Sequence, residues 1–209
     1  MKIKVKDEYN LFKRKTFTFE EGLNVLVGEN GSGKTTLCNE ITEFLKANNI
    51  KFIKYDNYTE SGSQSKINAL INGHYDFAGS IWNISEGQTH IANISQFVAK
   101  INKTIKSIGD YEKLFIIMDG IDSGVSINKL VEIRELFDII MEDVIEMNVT
   151  RNIHKEIYII VTSNSFELVQ NARCVYVKNS FTRTFGTYTA YKNFILKSAN
   201  SDLEELDKG

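Results

Sequence analysis

Apolar and polar positions alternate with two different periods along this chain, and the switches between them mark out the elements. Lys2-Ile3-Lys4-Val5-Lys6 and Thr16-Phe17-Thr18-Phe19 alternate with period two, the pattern of half-buried strands, and predict an antiparallel pair at the start of the chain. Leu23-Asn24-Val25-Leu26-Val27 reads as a more buried strand. It runs straight into the glycine-rich segment Gly28-Glu29-Asn30-Gly31-Ser32-Gly33-Lys34-Thr35-Thr36, after which Leu37, Ile41, Phe44 and Leu45 follow at helical spacing. Further strands are expected at 51–55, 114–118, 157–162 and 174–177. The strongest helical periodicity lies between 128 and 147, where Leu130, Ile133, Leu136, Phe137, Ile140, Val144 and Met147 share a face. Helices are also expected at 65–71, 88–108 and 188–206. Strands separated by helices predict an α/β fold with a mainly parallel sheet, flanked by helices and preceded by a small antiparallel β element.

Composition narrows the class. With 209 residues, 42% of them hydrophobic, the chain is expected to form one domain over residues 1–209, with a helical insertion at 57–109 and a helical tail at 188–209. The longest apolar runs, 114–118 and 157–161, are strand-sized and far short of the roughly 20 residues of a membrane span. The opening MKIKVKDEYN lacks the apolar stretch of a secretory leader, so a cytoplasmic protein is expected. Cys38 and Cys174 suit that compartment as two buried thiols, and His74, His90 and His154 show no ligand spacing. A net charge of −2 advertises no polyanionic partner. Any DNA contact would be local, through Lys2, Lys4 and Lys6 or through Lys100, Lys103 and Lys106, and solvated faces look the same.

The segment 28–35 satisfies G-x-x-x-x-G-K-[ST], with a strand before it and a helix after it. In that setting Asn30, Gly31, Ser32, Gly33 and Thr36 would line a concavity of inward-facing N–H groups at a helix N-terminus, which receives phosphate oxygens. Lys34 would reach the β- and γ-phosphates and the Thr35 hydroxyl would ligate Mg²⁺. Such a site needs a carboxylate at the end of another buried strand. Asp119, directly after Leu114-Phe115-Ile116-Ile117-Met118, supplies it, and the pattern singles out no other strand that ends this way.

Together these segments resemble ATP-binding-cassette (ABC) ATPases. Residues 21–37 are similar to that family's first nucleotide motif and its preceding strand. Met118-Asp119-Gly120-Ile121-Asp122-Ser123-Gly124-Val125-Ser126 resembles the second motif running into the D-loop, and Ile84-Ser85-Glu86-Gly87-Gln88 resembles the signature. The resemblance covers most of residues 1–177 and implies a P-loop NTPase fold of ABC type. It also implies a homodimer that sandwiches ATP head to tail, with Ser85, Gly87 and Gln88 of one copy facing the P-loop of the other. It further implies Gln64 as a third magnesium-site residue, and Tyr9 or Phe12 as the aromatic against adenine. The short 34–85 interval resembles a compact stand-alone head of the chromosome-structure and DNA-repair branch rather than a transporter subunit.

The pattern breaks at catalytic positions. Gly120 stands where the family usually has the water-polarising glutamate, Asn164 where it has a histidine, and Ser126 where it has the D-loop aspartate. Asp122 could serve as the carboxylate if the turn swings it inward. Alternatively, Gly120 is glycine because its backbone needs a positive φ; otherwise a glutamate there should accelerate hydrolysis. The expectation is a slow ATPase acting as an ATP-dependent dimer switch on nucleic acid or a partner protein. A non-hydrolysing ATP-binding scaffold and, less simply, a P-loop nucleotide kinase remain as alternatives.

Overall fold

The computed structural model describes residues 1–56 and 86–206. Two short strands, β1 (Lys2–Lys4) and β2 (Thr16–Thr18), pair antiparallel with Ile3 opposite Phe17. A six-stranded sheet holds the rest, ordered β4-β5-β6-β3-β7-β8, where β3 is Gly22–Val27, β4 Lys51–Asp56, β5 Lys113–Asp119, β6 Glu156–Thr162, β7 Arg173–Tyr176 and β8 Thr182–Arg183. All neighbours are parallel except β7 with β8. The crossovers carry α1 (Lys34–Ala47), α2 (Glu86–Ser107) and α3 (Ile127–Arg151). A single turn, α4 (Phe166–Val169), and a long helix, α5 (Tyr188–Leu206), follow.

The near-continuous apolar runs of β5 and β6 are those of strands buried on both faces. Leu114, Ile116 and Met118 of β5, with Ile157, Ile159 and Val161 of β6, pack against α2 and α3. Phe115, Ile117, Tyr158 and Ile160 turn to the opposite face, against α1 and the β1–β2 pair. Phe115 and Tyr158 are register partners and stack with ring centroids 4.5 Å apart. A third apolar group gathers Val25, Val27, Cys174 and Tyr176 against Phe185, Tyr191 and α5. Cys38 and Cys174 are both buried and neither is in a disulfide, and burial pushes the Cys174 thiol up to about 12.

The expected strands, the antiparallel opening pair and the principal helices are present, and three further features stand beside them. β4 also ends on an aspartate, Asp56, the register partner of Asp119, although its run carries Lys51 and Lys54 and lacks the continuous apolar stretch that Asp119 closes. α4 and β8 went unanticipated, because a one-turn helix and a two-residue strand are too short to show a period. The helix expected at 65–71 lies outside the described residues. Among those described, no helix is long and apolar enough to cross a membrane.

Candidate functional site

In a parallel sheet, ligands bind beyond the carboxyl ends of the strands. Here the loops leaving β3, β5 and β6 converge on a cleft of about 500 Å³ lined by Asn30, Gly31, Gly33, Lys34, Thr35, Asp119, Gly120, Asp122, Ser123, Thr162, Ser163 and Asn164. Strand order does the positioning: β6 lies between β3 and β5, so its last residues stand between the glycine-rich loop and Asp119.

Gly31 and Gly33 take φ of +80° and +93°, the left-handed region that favours glycine. A Cβ at Gly33 would also lie 3.2 Å from Phe12 Cε1 and 3.3 Å from Leu11 Cδ1, so the β1–β2 loop packs directly on the start of α1. Gly33 is the N-cap of α1 and, as a glycine, makes no side-chain cap bond. The N-cap thus offers no side-chain acceptor to the first-turn N–H groups, and Gly33, Lys34 and Thr35 at this helix start line the cleft.

Lys34 Nζ donates to the carbonyls of Gly28 (2.7 Å) and Glu29 (3.0 Å), folding back over the loop. Burial pulls its ammonium below the usual lysine range, against the opposing pull of the Asp122, Glu29 and Asp119 carboxylates. A polyphosphate would supply the anionic partner that this partly buried cation lacks in full.

Asp119 is 2% exposed. Its Oδ1 accepts from Thr162 Oγ1 at 2.6 Å, and Thr162 Oγ1 in turn accepts from the Gly120 N–H at 2.7 Å. Its Oδ2 is buried with no hydrogen-bond partner among the described residues. Asp119 and Thr35 line the same cleft, and a carboxylate oxygen and a hydroxyl sharing a cleft suit a hydrated divalent cation whose remaining ligands are phosphate and water. Among the described residues no cluster of three or more acidic, His or Cys side chains forms a dedicated metal cage.

Asp122 does swing inward. Its Oδ2 accepts from Ser163 Oγ (2.9 Å) and from the N–H groups of Asn164 (2.7 Å) and Ser165 (3.2 Å). Asn164 Nδ2 donates to Asn30 Oδ1 at 2.7 Å, joining the loop after β6 to the P-loop. Gly120 has φ +69°, so the backbone explanation for this glycine holds, and the expectation that a glutamate there would simply restore catalysis is withdrawn.

The remaining candidates divide. Gly87 and Gln88 fall in the first turn of α2, while Ser85 and Gln64 lie outside the described residues. Of the two aromatics considered for adenine, Phe12 is buried edge-on against Phe17 and Tyr9 is 74% exposed. Lys2, Lys4, Lys6, Lys100, Lys103 and Lys106 are exposed, as is His154. Thr162 and Ser163 escaped the sequence reading, although two hydroxyls closing an otherwise apolar strand were a visible signal. Glu29 also escaped. Its carboxylate pairs with Lys178 at 2.7 Å and accepts from Ser198 of α5 at 3.2 Å.

A glycine-rich loop between a parallel strand and a helix with a glycine N-cap, with a strand-end carboxylate across the cleft, defines the P-loop NTPase class. The chain belongs within it to the AAA domain family, whose model matches residues 16–158. That match spans the P-loop and Asp119 and ends inside β6, before Asn164. A comparison with curated proteins returns no match.

Proposed function

We propose that the protein binds ATP with Mg²⁺ in the β3–β5–β6 cleft and acts as an ABC-type dimer switch with slow hydrolysis. The observation that carries this reading is the convergence, in one cleft, of an α1 N-terminus with a glycine N-cap, a partly buried Lys34 and an Asp119 oxygen without a partner among the described residues. The loop from Asn30 to Thr36 would cradle the phosphates by its N–H groups. Lys34 would exchange the Gly28 and Glu29 carbonyls for β- and γ-phosphate oxygens. Thr35 and Asp119 would hold Mg²⁺, whose charge offsets that developing on the transferred phosphoryl group. Asn164 can donate a hydrogen bond to a terminal phosphate but cannot carry a proton at neutral pH.

The ABC branch is supported by the order of motifs along the chain: the P-loop, then the segment Ser85-Glu86-Gly87-Gln88, whose last three residues open α2, then Asp119, then a polar residue closing β6. The same reading takes residues 1–209 as one domain. A second reading, an ATP-binding scaffold without turnover, is favoured by Gly120, which has φ +69° and puts no carboxylate at the position directly after Asp119.

Lys34→Ala tests the site. Its ATP affinity should fall at least about 100-fold by calorimetry, in line with the loss of a charge-assisted contact from a desolvated site, while its melting temperature stays within a few degrees of wild type. Unchanged affinity would remove the phosphate-site assignment. Single-turnover phosphate release from wild type then separates the slow ATPase from the scaffold.

A further inference from the structure

Asn164 is held from three sides. Its N–H donates to Asp122 Oδ2 (2.7 Å), its carbonyl accepts from Tyr191 Oη (3.3 Å), and its side-chain amide donates to Asn30 Oδ1 (2.7 Å) in the P-loop. Asp122 makes the largest share of this arrangement, because the same oxygen also takes Ser163 Oγ and the Ser165 N–H. It reaches them through two consecutive turns. Ser123 N–H donates to the Gly120 carbonyl and Val125 N–H to the Asp122 carbonyl, with Gly120 and Gly124 at φ +69° and +74°. One carboxylate oxygen that accepts three donors is committed to holding a loop. That oxygen is taken up by the loop and is not available to water as a general base.

We propose that Asp122 is a positioning residue. By fixing the backbone of Asn164 it presents the Asn164 amide to the outermost phosphate of a bound nucleotide, and so sets the preference for a nucleoside triphosphate over a diphosphate. This rests on the nucleotide reading of the cleft. The amide now satisfied by Asn30 is the donor that a terminal phosphate would claim. The loop carrying it stays in place only while Asp122 engages the Asn164 and Ser165 N–H groups. The Asp122 charge also faces Lys34, so its effect on that cation must be separated from its effect on the loop.

The test measures ATP and ADP affinities of wild type, Asp122→Ala, Asp122→Asn and Asn164→Ala, together with amide hydrogen exchange at Asn164 and Ser165 in nucleotide-free protein. Asp122→Ala should cut the ATP-over-ADP preference about tenfold, the scale of one charge-assisted contact, and speed exchange at both amides. Asp122→Asn, whose carbonyl oxygen can still accept all three donors, should recover most of the preference and the protection even though the charge is gone. Asn164→Ala should lose the preference to the same extent, and the double variant Asp122→Ala/Asn164→Ala should be no worse than either single one. Asn164→Ala keeps every backbone donor to Asp122, so it reports on the amide even if Asp122→Ala folds poorly. Asp122→Asn as defective as Asp122→Ala would overturn the proposal in favour of a role for the charge itself. Equal affinities of wild type for ATP and ADP, or unchanged exchange in Asp122→Ala, would also overturn it. A wild type that binds neither nucleotide would instead bring down the site reading beneath it.

Discussion

Gly120 and Asp122 work as a pair. A left-handed residue directly after β5 turns the chain back toward β6, and only after that turn can a carboxylate two positions on reach the N–H groups of Asn164 and Ser165. Any Cβ at Gly120 resists that turn by roughly 1–2 kcal/mol. Gly120→Ala should therefore lower unfolding free energy by about that amount in urea titrations, and Gly120→Glu should lose nucleotide affinity rather than gain rate. An accelerated Gly120→Glu enzyme of unchanged stability would mean that the turn tolerates a side chain. Glu29 is a second residue with two allegiances, to the P-loop by sequence and to α5 by contact. Burial would raise its carboxyl, but Lys178, its own N–H and Ser198 together hold it below the usual carboxylate range. A carboxylate with a lowered folded pKa stabilises the fold above its unfolded value, about 4.3, and that contribution is lost as pH falls through the folded value. Glu29→Gln should flatten the dependence of stability on pH in that acidic window and leave the slope near neutrality unchanged.

Among the elements, α2 is tied down at its end far from the cleft. Lys155 is 2% exposed, and its Nζ donates to the carbonyls of Ile105 (2.9 Å) and Ile108 (3.0 Å), so a buried cation sits at the C-terminus of α2 and ties it to the start of β6. Lys155→Met keeps the aliphatic stem but strands two buried acceptors, at about 1–3 kcal/mol each. The expected result is a lower denaturant midpoint at unchanged slope; a midpoint equal to wild type would show that water replaces the ammonium. Nothing in the sequence singled out Lys155. Its meaning comes from a contact 50 residues away, whereas the strands that carry the site were legible because their apolar runs are local. The same division holds in the cleft. Gly31, Gly33, Lys34 and Thr35 announce themselves by spacing within one segment, and Asp119 by the strand it ends. The bonds from Thr162 to Asp119 and from Asn164 to Asn30 depend on β6 lying between β5 and β3, a strand order that no local pattern encodes.

At the scale of the molecule, strand order also separates the two motifs that the ABC reading brings together. The P-loop leaves β3 and leads into α1, which packs on one face of the sheet. α2 packs on the other, over Ile53 and Tyr55 of β4, with Tyr55 and Phe97 in ring contact at 5.4 Å. β3 and β4 are three strand spacings apart, about 14 Å at the usual interstrand distance. The C-terminal end of α2 is held beside the start of β6. A helix of 22 residues rising about 1.5 Å each therefore carries Gly87 back toward the cleft edge of the sheet, on the face away from α1. The head-to-tail switch proposed above would therefore bring the α2 N-terminus of one copy to the P-loop of another. If two copies close in this way, ATP with Mg²⁺ should double the mass seen by light scattering. Ser85→Arg should keep the protein monomeric while leaving ATP affinity intact, because the added bulk would stand at the copy-to-copy contact and not in the P-loop. Lys34→Ala should lose both binding and dimer. A mass that is the same with and without nucleotide in wild type, or a Ser85→Arg protein that still dimerises, would leave the nucleotide site standing and remove the head-to-tail switch.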